Sequence, residues 1–315
     1  MLSIRRFRQG VDEPVWVEVL NAAYKEYEVW WRRTTVEEML LEEKRPNFDF
    51  EGRFIAEFDG KPVGIVHANV DKLRKEKKGF MSNFCVVPEF RGRGVEEKLA
   101  EYAISELKER GMSRIEAWTG SERNDRIQLL EKLGFKLVRT WSDMEMSLSD
   151  IPSNIGENRE VKIRLLRTNM EEDIEMLNWL DNECFKEHFD YRPSTLEETR
   201  YSLLNNPKWK EQIYFFAVQN QKCVGHIGVG IDEKYNNEKN VKGGFILTIG
   251  VLESCRRNGV GTRLMLQGLQ TLKSKGMTKA ILDVDDFNLT KAMKLYEKVG
   301  FNIVKRSLIY EKFLG

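Results

Sequence analysis

The chain has 315 residues, enough for about two domains of ordinary size. Its 51 Lys and Arg almost balance its 50 Asp and Glu, so no nucleic acid or other polyanion is expected as a partner. No apolar run approaches the ~18 residues of a membrane span and the start MLSIRRFRQG lacks a secretion signal, so a cytoplasmic protein with no membrane partner is expected.

Ile4 to Phe7 opens the chain as a strand-like segment. Tyr24, Tyr27, Trp30 and Trp31 follow at helical spacing and read as packing aromatics. Segments 54–71, 79–99 and 131–135 carry further landmarks, and the Ser-, Asn-, Pro- and Gly-bearing stretch 148–160 marks a boundary. Val161 to Leu166 then alternates as a strand. Glu171 to Cys184 places Ile174, Met176, Leu177 and Leu180 on a helix. Ser194 and Glu197 resemble a capping box opening a second helix. Gln212–Gln219 and Lys222–Ile231 read as paired strands, and Phe245–Val251 as a buried one. A helix over Thr262–Lys275, a strand over Lys279–Asp285, a helix over Thr290–Lys298 closed by Gly300, and a last strand within Asn302–Lys312 complete the order β-α-α-β-β-β-α-β-α-β.

The same landmarks occur twice, about 160 residues apart. FIAEFDGKPVGIVHANVD (54–71) answers FFAVQNQKCVGHIGVGID (215–232). GFMSNFCVVPEFRGRGVEEKL (79–99) answers GFILTIGVLESCRRNGVGTRL (244–264), and EKLGF (131–135) answers EKVGF (297–301). The extra residues of the second copy fall in loop-like segments such as Lys234–Lys242. So long a period means duplicated domains: 1–148, a linker 149–158, and 159–315. Each copy is an α/β fold, of the α+β mixed-sheet kind, built on one central sheet. Four scattered cysteines without a C-x-x-C pair, and three histidines, give no metal site.

The chemistry lies in Arg256-Arg257-Asn258-Gly259-Val260-Gly261-Thr262, between a strand and a helix. A helix start offers unpaired N–H groups and partial positive charge, and small residues before it let a diphosphate approach. Gly259 permits unusual backbone angles and Gly261 removes an obstructing Cβ. Arg256 and Arg257 can add charge-assisted bonds. The spacing matches neither G-x-x-x-x-G-K-[ST] nor G-x-G-x-x-G with a following acid, which disfavours nucleotide hydrolysis and dinucleotide binding.

With Asn288 and Leu295-Tyr296-Glu297-Lys298-Val299-Gly300-Phe301, this loop and the element order resemble the GNAT superfamily of acetyl-CoA-dependent N-acetyltransferases. The resemblance spans nearly the whole chain, as two tandem GNAT-like acyl-CoA N-acyltransferase domains. It implies that the strand before the loop splays from its neighbour, so that Ile249, Gly250 and Val251 bond the pantetheine arm. It implies that Arg256 to Thr262 take the pyrophosphate, that Asn288 bonds the thioester end, and that Tyr296 protonates the leaving thiolate. One departure is Glu253, where the family often has proline. The acceptor implied is a primary amine of a small molecule or peptide, attacking directly in a ternary complex. Candidates for acceptor contacts or a general base are Glu183, Glu187, His188, Tyr191, Asp283 and Asp285. His226, with His67 as its counterpart in the first copy, reads as packing.

The first copy carries two lesions. Glu96 stands where Gly261 stands in the second, and Leu130 where Tyr296 stands, so the first copy is expected to be catalytically degenerate. A non-catalytic acyl-CoA sensor, or transfer to a thiol or hydroxyl, are the competing readings. Monomer and homodimer are equally compatible with the sequence.

Overall fold

The computed structural model describes residues 1–25, 32–152, 160–209 and 211–315. Tyr27, Trp30 and Trp31, and residues 153–158 of the linker with 159, lie outside the described residues. The described residues form two compact units, Met1–Arg139 with Ser307–Gly315, and Thr140–Arg306.

The first repeat contains β1 (Leu2–Arg6), α1 (Glu13–Tyr24), α2 (Val36–Glu42), β2 (Arg53–Phe58), β3 (Lys61–Val70), β4 (Lys78–Val86), α3 (Val95–Glu109), β5 (Arg114–Gly120), α4 (Asn124–Lys132) and β6 (Lys136–Ser147). The second contains β7 (Lys162–Leu165), α5 (Glu171–Phe185), α6 (Leu196–Leu204), β8 (Glu211–Gln219), β9 (Lys222–Ile231), α7 (Glu233–Lys239), β10 (Gly243–Val251), α8 (Val260–Ser274), β11 (Lys279–Asp285), α9 (Ala292–Val299) and β12 (Asn302–Phe313). The mixed α/β order expected from the sequence is present in both repeats.

The compact units do not coincide with the repeats 1–148 and 159–315. In the first unit the sheet order is β1-β2-β3-β4-β5, closed by Ser307–Phe313 of β12 antiparallel to β5. In the second it is β7-β8-β9-β10-β11, closed by Trp141–Ser147 of β6 antiparallel to β11. Each unit thus takes its final strand from the other repeat. Burial follows this exchange: Tyr310 is part of the first unit's core, and Met144, Met146 and Leu148 are part of the second's.

Two local expectations are corrected. The capping box of α6 is formed by Thr195 and Glu198, one residue later than Ser194 and Glu197, because Thr195 is the residue with extended backbone ahead of the first turn. Within Lys234–Lys242, which reads as loop, Asp232 accepts from the Tyr235 N–H and opens the short helix α7.

His226 faces Gly250 across the β9–β10 ladder, whereas His67 faces Ser82 across β3–β4. Counted from Gly225 and Gly64, His67 stands two residues further along, so the two are not counterparts. His67 is buried, with Nε2 3.1 Å from the Glu51 carbonyl oxygen, and burial pushes its imidazole down to about 4. An unfolded histidine titrates near 6.5. Between those values the unfolded chain holds a proton that the folded chain lacks, so acid removes stability, by up to about 3 kcal/mol. Denaturant titrations from pH 7 to pH 4 should show this loss, and His67→Gln should flatten it. Equal pH slopes in the two proteins would contradict the assignment.

Candidate active site

β10 pairs with β9 from Phe245 to Val251, but with parallel β11 only from Gly243 to Phe245. The register slips between Ile246 and Thr248, a bulge that turns the strand away from its neighbour. Among the described residues, the edge of β10 facing β11 therefore has no strand partner past Phe245. Backbone N–H and C=O groups left unpaired in this way need some other partner. A cavity of about 550 Å³ occupies the gap, lined by Ile246–Val251, Leu282–Asp285, Tyr296 and Trp141. Gly250 is required by the opposite face: a Cβ there would stand 2.7 Å from His226 Cε1 and 2.8 Å from Cys184 Cβ.

The cavity runs to the start of α8. Gly259 sits in the left-handed region at φ 74° as the residue before the helix, and no side chain caps the helix or places an acid in its first turn. The N–H groups of Val260, Gly261 and Thr262 are thus free of side-chain competitors. A Cβ on Gly261 would meet only Leu295 at 3.4 Å and Val251 at 3.8 Å, so the protein's own packing tolerates a side chain there. Arg257 adopts φ 64° without being glycine, a local strain of about 1 kcal/mol held within the same loop.

The two loop arginines are engaged by the protein. Arg256 Nε donates to the Val251 carbonyl at 3.0 Å, Nη2 to the Cys184 carbonyl at 3.1 Å, and Nη1 to Glu187 at 3.1 Å. Arg91 repeats the brace in the first unit, on the carbonyls of Val86 and Ala23. Arg256 therefore ties the strand end to the end of the first helix of its repeat. Arg257 donates to the Thr290 carbonyl at 3.1 Å. The positive charge stays near the loop, but both side chains are anchored.

Tyr296 projects from α9 into the cavity with 7% of its surface exposed. Burial, reinforced by the charge of Asp283, holds its phenol above the usual range, so it keeps its proton near neutral pH. Asp283 lies on β11 and lines the same cavity. Its carboxylate accepts from Trp141 Nε1 at 2.9 Å. Asp283 is exposed toward the open cavity, and desolvation by the packing around it raises its pKa, against the opposing pull of the Trp141 hydrogen bond. Trp141 belongs to the exchanged strand β6.

Asn288 lines the cavity beside His188, with its Nδ2 3.3 Å from His188 Nε2. Its Oδ1 accepts from the Thr290 N–H at 2.8 Å, which fixes the turn into α9. Asp285 is buried and accepts from the Phe287 N–H at 3.0 Å, a turn-forming role. Glu183 pairs with Lys186, and Tyr191 donates to Asn182 at 3.3 Å. Of the acceptor-side candidates, His188, Asp283 and Asp285 line the cavity; Glu183, Glu187 and Tyr191 do not. Cys184 does line it, but burial pushes its thiol up to about 12, so it stays protonated. Among the described residues no group of His, Cys, Asp or Glu could hold a metal ion, and no helix is long and apolar enough to cross a membrane.

The family model "Acetyltransferase (GNAT) family" matches residues 16–135 and again 174–301. The chain belongs to the GNAT acetyltransferase family. An uncharacterized N-acetyltransferase of Methanocaldococcus jannaschii is 34% identical over 102 residues, covering 30% of this chain and 45% of that one. The mycothiol acetyltransferase of Actinosynnema mirum is 24% identical, covering 84% of this chain and 85% of that one. Several other curated relatives are matched over less than half of their length. Among solved structures, a tandem GNAT protein from the clavulanic acid biosynthesis pathway superposes with a TM-score of 0.76 at 13% identity, over 100% of this chain and 99% of that one. At that identity the likeness is one of fold. The tandem GNAT layout expected from the sequence is therefore established.

Proposed function

We propose that the second unit transfers an acetyl group from acetyl-CoA to a primary amine of a small molecule or peptide, by direct attack in a ternary complex. The observation that carries this reading is the continuity of the unpaired β10 edge with the uncapped start of α8. A pantetheine arm is an extended chain of amides, suited to an unpaired strand edge, and it ends in a diphosphate, suited to a helix start. Ile249, Gly250 and Val251 line the first part, and the N–H groups of Val260 to Thr262 the second. The names of the relatives, all acetyltransferases, support acetyl as the group moved.

In this reading Asp283 takes a proton from the incoming ammonium. The neutral nitrogen attacks the thioester carbonyl, the C–S bond breaks, Tyr296 donates its proton to the departing sulfur, and the second proton that the nitrogen sheds as the amide forms restores the phenol. Backbone N–H groups of the open strand edge stabilise the oxyanion. A protonated Cys184 argues against an acyl-cysteine intermediate and for direct transfer.

Asp283 provides a test with a sign. The base must be ionised, so kcat/KM should rise with pH through a limb above the usual carboxylate range. Asp283→Asn should lower kcat/KM by about 10²–10⁴-fold and remove the limb. Trp141→Phe removes a hydrogen bond that lowers this pKa, so the limb should move to higher pH. A limb that neither variant alters would exclude Asp283 as the base.

A further inference from the structure

Shared landmarks align the two units residue by residue. Gly79 and Gly244, and Arg91 and Arg256, are each 165 apart, which pairs Phe84 with Ile249. Phe135 and Phe301 are 166 apart, which pairs Arg126 with Ala292. The first unit is splayed like the second: β4 and parallel β5 pair only from Lys78 to Met81. Its glycine loop keeps the same shape, with Gly92 at φ 68° and Gly94 at φ 79°. The content of the gap differs. In the second unit small Ala292 lines an open cavity. In the first, Arg126 is 93% buried, donates through Nη2 to the Phe84 carbonyl, and lies with its guanidinium carbon 4.0 Å from the centre of the Phe84 ring.

We infer that the first unit is a latent acyl-CoA site whose pantetheine slot is filled by the chain's own Arg126. The Phe84 carbonyl holds the place that Ile249 holds beside the open slot of the second unit, and the Arg126 guanidinium already bonds it. Among the described residues no carboxylate forms an ion pair with Arg126, whose hydrogen bond goes to a backbone carbonyl. Desolvation holds its pKa below the usual value. Two changes therefore close the slot at its two ends: Arg126 along the strand edge and Glu96 at the helix start. Glu96 stands in the first turn of α3 and sets its own negative charge at the positive helix end where a diphosphate would dock. The inference goes beyond the transfer proposed for the second unit, which it uses only as the open reference.

The test is acetyl-CoA titration of the full-length chain by calorimetry. Wild type should take up one equivalent. Glu96→Gly alone should still take up one, because Arg126 remains. Glu96→Gly with Arg126→Ala should take up a second, and that second equivalent should persist when Gly261→Glu silences the second unit. The inference is overturned if wild type binds two equivalents, if Glu96→Gly alone creates the second site, or if the folded double variant gains none. If Arg126→Ala fails to fold, Glu96→Gly with the conservative Arg126→Lys or Arg126→Met takes its place, and a second equivalent in Glu96→Gly alone still overturns the inference. Absence of the wild-type equivalent would instead remove the reading of the second unit, while the gain in the double variant would still be read independently.

Discussion

Gly261→Glu should reduce acetyl-CoA binding by about 10³-fold while the protein stays folded. Two like charges about 4 Å apart repel by about 4 kcal/mol at an effective dielectric of 20, and each 1.4 kcal/mol is a factor of ten. The carboxylate would stand in the first turn of α8, where the diphosphate is proposed to bind. The fold should survive because a Cβ at this position meets only Leu295 and Val251 at ordinary contact distances, and the backbone there is helical. Calorimetry gives the affinity, and a thermal melt separates lost binding from lost structure. Gly261→Ala should cost far less, since it adds bulk without charge. Binding retained within a few-fold in Gly261→Glu would move the diphosphate away from this helix start.

Tyr296→Phe should lower kcat by about 10²–10⁴-fold and leave acetyl-CoA affinity unchanged. The phenol is buried among the second unit's core residues, so removing one oxygen should preserve packing. Its raised pKa keeps the proton in place until the sulfur becomes basic, and the burial that raises the phenol also raises a thiolate formed beside it. The readout is release of free CoA thiol at saturating acetyl-CoA and amine. A kcat within threefold of wild type would take Tyr296 out of proton transfer. Loss of binding together with turnover would make it a packing residue of the slot.

The fold was legible because duplicated landmarks carry their own check. A glycine loop found twice, each time between a strand and a helix, is constrained far beyond its own length. Strand exchange was not legible. Alternation in β6 and β12 specifies which face of the strand is buried, and that pattern is the same whichever sheet the strand joins. Trp141 was missed for this reason: it lies in the first repeat but lines the second unit's cavity. Arg256 and Arg257 sat in the correct loop, yet the sequence does not tell a phosphate ligand from a brace on carbonyl groups. The acidic candidates divided by local geometry. Glu183, Glu187 and Asp285 are engaged with a lysine, an arginine and a backbone turn, and only Asp283 combines cavity lining with a raised pKa. The contrast between Arg126 and Ala292 was present in the aligned repeats, but it acquires meaning only once Phe84 is seen to accept the hydrogen bond.

The central claim is transfer of acetyl from CoA to an amine in the second unit. Incubation of the full chain with acetyl-CoA and a panel of primary amines, following both free thiol and the mass of the amine, tests it most directly. The account predicts thiol release matched one for one by acetylated amine, absent in Gly261→Glu and undiminished in Glu96→Gly. Thiol release that persists in Gly261→Glu, or acetyl-CoA binding with no acetylated product from any amine, would contradict it.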